Sequence, residues 1–159
     1  MYPASGDETP TAASATRTGV GFDYESLKAA GTHVGSAQLR VIGADVCIVN
    51  EAARLFDYLA KETCGICVPC RVGTKRVETI LESIYSDLGR ADDLPWLDQL
   101  ADHLREFSLC GFGITSASIL KTTMSEFADD YRRHIDDKTC PTGTCAPVRS
   151  RRYETMAQP

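Results

Sequence analysis

Residues 62–70 read ETCGICVPC, so Cys64, Cys67 and Cys70 stand three apart in one short loop. No other feature of the 159-residue chain restricts its fold as tightly. A loop with three thiolates wraps one corner of an inorganic core. C-x2-C-x2-C is the recurrent way to supply three of the four protein ligands of a [4Fe–4S] cube, the fourth being remote in sequence. Zinc is the competing reading of the triplet, although zinc sites more often use two C-x-x-C pairs. A redox dithiol would expect a βαβ setting, which the pattern lacks. The cysteine count is seven, an odd number, and the N-terminus lacks the basic-then-apolar order of a secretory signal. Both favour a reducing compartment and metal-bound thiolates over a disulfide framework.

Hydrophobic periodicity around the loop predicts a mainly α fold, a small four-helix bundle. Val46, Val49, Ala53, Phe56 and Ala60 recur at helical spacing. With Asp45 as cap they predict a helix over about 45–62, against the strand tendency of VCIV. Val77, Ile80, Leu81, Ile84 and Tyr85 mark a second helix. A third, capped by Asp93 with Pro95 in its first turn, presents Trp96, Leu97, Leu100, Ala101, Leu104 and Phe107. A fourth carries Ala117, Leu120, Met124, Phe127, Tyr131 and Ile135 on one stripe. These stripes are core positions and carry no chemistry.

Cys110 is the candidate fourth ligand of the triplet. It sits in SLCGFG between the third and fourth helices, where glycines let the backbone approach a cluster closely. An antiparallel hairpin of the second and third helices would return this loop to the end of the bundle that carries the triplet.

The flanks divide the chain further. Residues 1–20, rich in Ser, Thr, Ala, Gly and Pro, read as a disordered lead. Residues 21–44 hold a short helix at DYESLKAA and a strand-like AQLRVIG. The cluster domain spans 45–135. The tail, 136–159, reads as extended or partner-bound. Its RHIDDKTCPTGTC places His134, Cys140 and Cys145 within twelve residues, a partial zinc donor set. The fourth donor would be a partner subunit, Cys47 or water. The alternatives are free thiols beside a helix-end histidine, or a Cys140–Cys145 disulfide, which a reducing cytoplasm disfavours. Cys47 otherwise reads as a helix thiol, and His33 and His103 as surface or loop residues.

A net charge of −5 with no basic stripe argues against a nucleic-acid surface and a DNA-binding redox regulator. No apolar run approaches the roughly 18–20 residues of a membrane span.

ETCGICVPCRVGTKRVETIL resembles the ESCGxCxPCREGT segment of the flavin- and NADH-binding 51 kDa-type subunit of respiratory complex I, and of related NAD-linked hydrogenases and formate dehydrogenases. SLCGFG is similar to the family's SLCxxG, and DYESLKAAGTHVGSAQLRVI to the segment that precedes the cluster domain. The resemblance covers about residues 22–135. It implies that Cys110 completes the ligand set with Cys64, Cys67 and Cys70. The family's GSGG is here GSAQ and its REGT is RVGT. No glycine-rich phosphate loop occurs. The implied function is therefore an electron-transfer subunit of a multi-subunit oxidoreductase, with one [4Fe–4S] cluster and neither FMN nor NAD on this chain. The expected location is the cytoplasm, with partners able to hold it at the inner face of the membrane. The alternative is a structural zinc-binding docking or assembly module that moves no electrons. Arg71, beside Cys70, is either a positive charge that raises the cluster potential or a solvated helix-start residue in need of a compensating partner.

Overall fold

The computed structural model describes residues 21, 23–29 and 42–145. The chain divides into two units, residues 1–42 and 43–159. In the first, α1 spans Tyr24–Ala29. Asp23 starts it as a side-chain cap, accepting hydrogen bonds from the Ser26 N–H at 2.8 Å and the Ser26 hydroxyl at 2.7 Å. The expected strand falls largely on residues outside the described set, as do His33 and the lead.

The second unit is built on four long helices, α2 (Ile48–Glu62), α3 (Val68–Tyr85), α4 (Asp93–Phe107) and α5 (Gly111–Glu126). The mainly α expectation holds, and no strand occurs among the described residues. The start of α2 lies three residues later than expected. A turn closed by the Val46 N–H on the Gly43 carbonyl takes up Asp45, and Cys47 occupies the cap position. From there Val49, Ala52, Ala53, Phe56 and Leu59 face the core. On α3 the buried row is Val77, Ile80, Leu81 and Ile84, as the periodicity predicts.

On α4 the core face is narrower than predicted. Leu97, Ala101 and Leu104 are fully buried, while Trp96 and Phe107 are more than half exposed. Those two stand eleven residues apart and so share one angular position. That position lies about 90° from the buried row at 3.6 residues per turn. Asp92 takes the cap position, and the Asp93 carboxylate accepts the Arg90 N–H at 2.7 Å.

The predicted fourth helix is three pieces. α5 ends at Glu126, Phe127 leaves helical geometry (φ −123°, ψ 35°), α6 covers Ala128–Arg132, and a π-helical turn covers Arg133–Asp137. No Gly or Pro causes the break. In the last turns of α5, Thr122, Thr123 and Ser125 direct their hydroxyls onto carbonyls three or four residues back. The break lets Tyr131, His134 and Ile135 all turn inward.

Two contacts fix how the helices meet. Gly73, early in α3, lies against Leu104, late in α4. A Cβ added at Gly73 would stand 3.2 Å from Leu104 Cδ2. The pair therefore runs antiparallel, and the loop after α4 returns to the start of α3. Lys121 of α5 pairs with Asp98 and Asp102 of α4 at 2.8 and 2.9 Å, joining the second pair.

Candidate metal centres

Two groups of thiols lie on the bundle. The first gathers Cys64, Cys67 and Cys70 from the α2–α3 loop and Cys110 from the α4–α5 loop. Cys67 occupies the cap position of α3, with Pro69 in the first turn, and Cys110 that of α5. Both thiols thus stand at helix N-termini, where free N–H groups favour negative charge. The backbone N–H groups of Leu109 and then Cys70 hold the Cys67 thiol below the usual range. The first of these acts from the other loop. Gly113, three residues after Cys110, lies close enough to Cys70 that an added Cβ would be 3.7 Å from the Cys70 Cβ. Cys70 is pushed above the ordinary thiol range, first by burial. The negative charges of Cys67, Cys110 and Cys64 also act on it, against a hydrogen bond with the Thr63 hydroxyl.

Neighbouring atoms fit this donor set to a bulky anionic core. Ser108 Oγ is shielded from solvent and has no hydrogen-bond partner in the protein, next to the cysteine it precedes by two. A Cβ at Gly111 would meet nothing within 4 Å, and one at Gly113 would collide with Ser108. The loop therefore leaves room at Gly111 and sets the Ser108 and Cys70 side chains against Gly113. Cys64 and Cys110 are exposed, whereas Cys67 and Cys70 are buried. The Arg71 guanidinium donates to the Gly65 carbonyl at 3.1 Å.

The second group is Cys47, His134, Cys140 and Cys145, whose ligand atoms all lie within 4.8 Å of one another. Cys47 precedes α2, His134 belongs to the π-helical turn, and the two tail cysteines follow it. The tail as far as Cys145 thus lies against the bundle, with Cys140 and Cys145 packed on the core cluster. Residues 146–159 are outside the described set. Cys47 Sγ and His134 Nε2 are 3.4 Å apart, and both residues are buried. The other ring nitrogen, Nδ1, is 2.7 Å from the Asp130 carbonyl. As a donor to that carbonyl it leaves Nε2 free to bind a metal, the usual support for a ligating histidine.

The electrostatics match a site that concentrates negative charge. Hydrogen bonding from Cys145 and then from His134 overcomes burial and lowers Cys47 to about 4. Cys145 is pushed far up, since its proton is held on Cys47. At His134 burial opposes the positive charge, yet bonding to Cys47 and to the Asp130 carbonyl raises it to about 9. Burial at Cys140 is outweighed by hydrogen bonds from Thr142 and the Cys145 backbone, which bring it to about 7. Three thiols and one imidazole converge without a disulfide.

Of the predicted site residues, Cys64, Cys67 and Cys70 lie on the α2–α3 loop and Cys110 on the α4–α5 loop, and the two loops meet where Gly113 approaches Cys70. His134, Cys140 and Cys145 meet around Cys47. Cys47 is more than a helix thiol, and of the three sources considered for the fourth donor it is the one next to the other three. Composition held a signal for it: removing the cluster four from seven cysteines leaves three, which with one buried histidine make a four-donor set. His103 stays outside both groups, its ring tilted against Phe107 with centroids 5.9 Å apart.

Residues 50–134 match the family model described as the NADH-ubiquinone oxidoreductase-F iron-sulfur binding region. The chain belongs to this family. The match takes in the whole first thiol group. Of the second group it includes only its own last residue, His134. Among curated relatives, the NADP-reducing hydrogenase subunit HndC of Solidesulfovibrio fructosivorans is 40% identical over 129 residues, covering 81% of this chain and 26% of HndC. The F-type subunit of the NADH-quinone oxidoreductase of Streptomyces coelicolor is 34% identical over 122 residues, covering 77% of this chain and 27% of that relative. The chain thus spans about a quarter of the length of these relatives. In fold it is similar to part of a NAD+-reducing [NiFe]-hydrogenase solved in the H2-reduced state. That match has a TM-score of 0.58 at 24% identity and covers 75% of this chain and 21% of the other. Among the described residues, no helix is long and apolar enough to cross a membrane.

Proposed function

We propose that this member of the iron-sulfur binding family is an electron-transfer subunit of a multi-subunit oxidoreductase. It would relay single electrons through one [4Fe–4S] cluster held by Cys64, Cys67, Cys70 and Cys110. The observation that carries the reading is the meeting of two distant loops. The C-x2-C-x2-C loop and the Cys110 loop come together at the approach of Gly113 to Cys70, and the Leu109 backbone acts on the Cys67 thiol. When bound, the cluster supplies reversible one-electron storage. The chain's own part is to hold four thiolates, two at helix N-termini, and to shield Cys67 and Cys70 from water. In this reading the cluster takes electrons from a donor and passes them to an acceptor elsewhere in the same assembly. We take the cytoplasm as its place of work.

Anaerobic reconstitution tests this. A brown protein with about four irons and four sulfides per chain, and an EPR signal on reduction, is expected. A colourless chain that takes up no iron would sink the reading. Zinc at the triplet, without visible absorbance, would replace it with the structural docking module.

The second thiol group supports a separate Zn2+ in a closed Cys3His site. Zn–S bonds near 2.3 Å and Zn–N bonds near 2.0 Å give a tetrahedron with edges of roughly 3.5–3.8 Å. Four donors already within 4.8 Å need only a small contraction to reach it. Metal analysis of the Cys140→Ser/Cys145→Ser double variant is the check. It should lose one zinc per chain and keep its iron, and unchanged zinc would remove the tail from the account.

A further inference from the structure

Thr63 ends α2, where its N–H bonds the Leu59 carbonyl and fixes its backbone. Its hydroxyl lies 3.2 Å from Cys70 Sγ and accepts the Gly65 N–H at 3.4 Å. The carbonyl of Gly65 in turn accepts the Arg71 guanidinium at 3.1 Å. Gly65 has φ +74°, a backbone geometry that a side chain would strain. The loop shape that presents its N–H to Thr63 therefore depends on glycine.

In a free thiol either atom of the Thr63–Cys70 contact could donate. A sulfur that ligates a metal has given up its proton, so the hydroxyl must be the donor. The Gly65 N–H already occupies an acceptor position on the oxygen, which leaves the O–H for the sulfur. Arg71 thus fixes Gly65 by its carbonyl, and the Gly65 N–H fixes the Thr63 hydroxyl that faces the sulfur. Cys70 is only 3% exposed, so water has little access to replace the hydroxyl there. Cys64 and Cys110 are exposed and can draw donors from solvent.

We propose that the Thr63 hydroxyl is the donor that sets the electron affinity of a cluster bound through Cys70, and that Arg71 holds it in position through Gly65. The proposal rests on the cluster reading above. Adding one electron increases the negative charge on the ligand sulfurs, so a donor there favours the reduced state more than the oxidised one.

The test is an EPR-monitored potentiometric titration of the anaerobically reconstituted full chain, with dithionite as the electron source. In Thr63→Val, which keeps the shape and loses the hydroxyl, the reduced-to-oxidised ratio at the wild-type midpoint should fall about threefold to tenfold. That is a lowering of roughly 30–60 mV for a one-electron couple. Thr63→Ser should stay with the wild type. Arg71→Met should shift the midpoint the same way, and its shift should not add to that of Thr63→Val, because the two act on one path. Should Thr63→Val bind less iron than the wild type, Thr63→Ala is titrated in its place with the same expectation. Full iron content with an unmoved midpoint in the hydroxyl-free variant would overturn the proposal, as would a Ser variant shifted like Val. Additive shifts would overturn the part given to Arg71. A wild-type chain that binds no iron would instead overturn the cluster reading on which this one stands.

Discussion

Breaking the Cys3His group should loosen the whole bundle, since its donors come from both ends of the second unit. Cys47 and Cys145 are 145 − 47 = 98 positions apart. A metal that ties them closes a loop of nearly the full domain. Cross-linking about 100 residues restricts the unfolded chain by up to ~4.7 kcal/mol in the chain-entropy model, and the donors inside the loop add nested closures. Strain and residual order in the unfolded chain reduce that figure, so about 3 kcal/mol is a reasonable expectation. For a domain of about 100 residues each kcal/mol moves Tm by roughly 4–8 °C. Cys145→Ser, or a zinc chelator on the wild type, should therefore lower Tm by more than ~10 °C. Thermal unfolding under reducing conditions, followed by circular dichroism at equal protein concentration, measures it. Metal analysis of the same samples links the change to zinc. The control is Cys64→Ser, which alters the proposed cluster site and should keep the zinc. The reasoning fails if the zinc-containing wild type and its chelated form melt within about a degree of each other.

Other perturbations test the packing. Gly113→Ala would set a Cβ 2.1 Å from Ser108 Oγ and 2.5 Å from its Cβ, so the α4–α5 loop must move. Reconstituted iron content should drop, with helicity retained by circular dichroism. Leu104→Ala removes a fully buried side chain that packs on Gly73 and should cost about 2–5 kcal/mol in urea unfolding. Tyr131 is fully buried, and burial pushes its phenol up to about 12, against a hydrogen bond with Thr123. The folded value lies above the unfolded value near 10, so the stabilising share is full below pH 10 and is lost as pH rises through about 12. Tyr131→Phe should cost about 1 kcal/mol at pH 8 through the lost hydrogen bond. Compared with wild type, it should lose less stability between pH 10 and 12, by about 2–3 kcal/mol, when both are unfolded in urea across that range. A Tyr131→Phe difference that stays constant with pH would refute the assignment.

Local order along the chain was largely legible from residue spacing. The rows Val77, Ile80, Leu81, Ile84 and Leu97, Ala101, Leu104 lie on single helix faces, and burial follows from that periodicity. The triplet Cys64, Cys67, Cys70 is close in space because it is close in sequence. Other features needed the tertiary structure. The break at Phe127 is announced by no Gly or Pro. Trp96 and Phe107 are as apolar as their neighbours, and only the position of the opposing helices leaves them outside. Cys110 reaches the triplet because α3 and α4 run antiparallel, which Gly73 against Leu104 makes visible. Cys47 meets His134 because the chain breaks after α5 and turns the imidazole inward, 87 residues from the thiol. Sequence by itself determined which residues can be ligands and which helices form, since donor chemistry and amphipathic period are local. Only the packed structure decided that Cys47 joins His134, Cys140 and Cys145, because that depends on which ends of the helices meet.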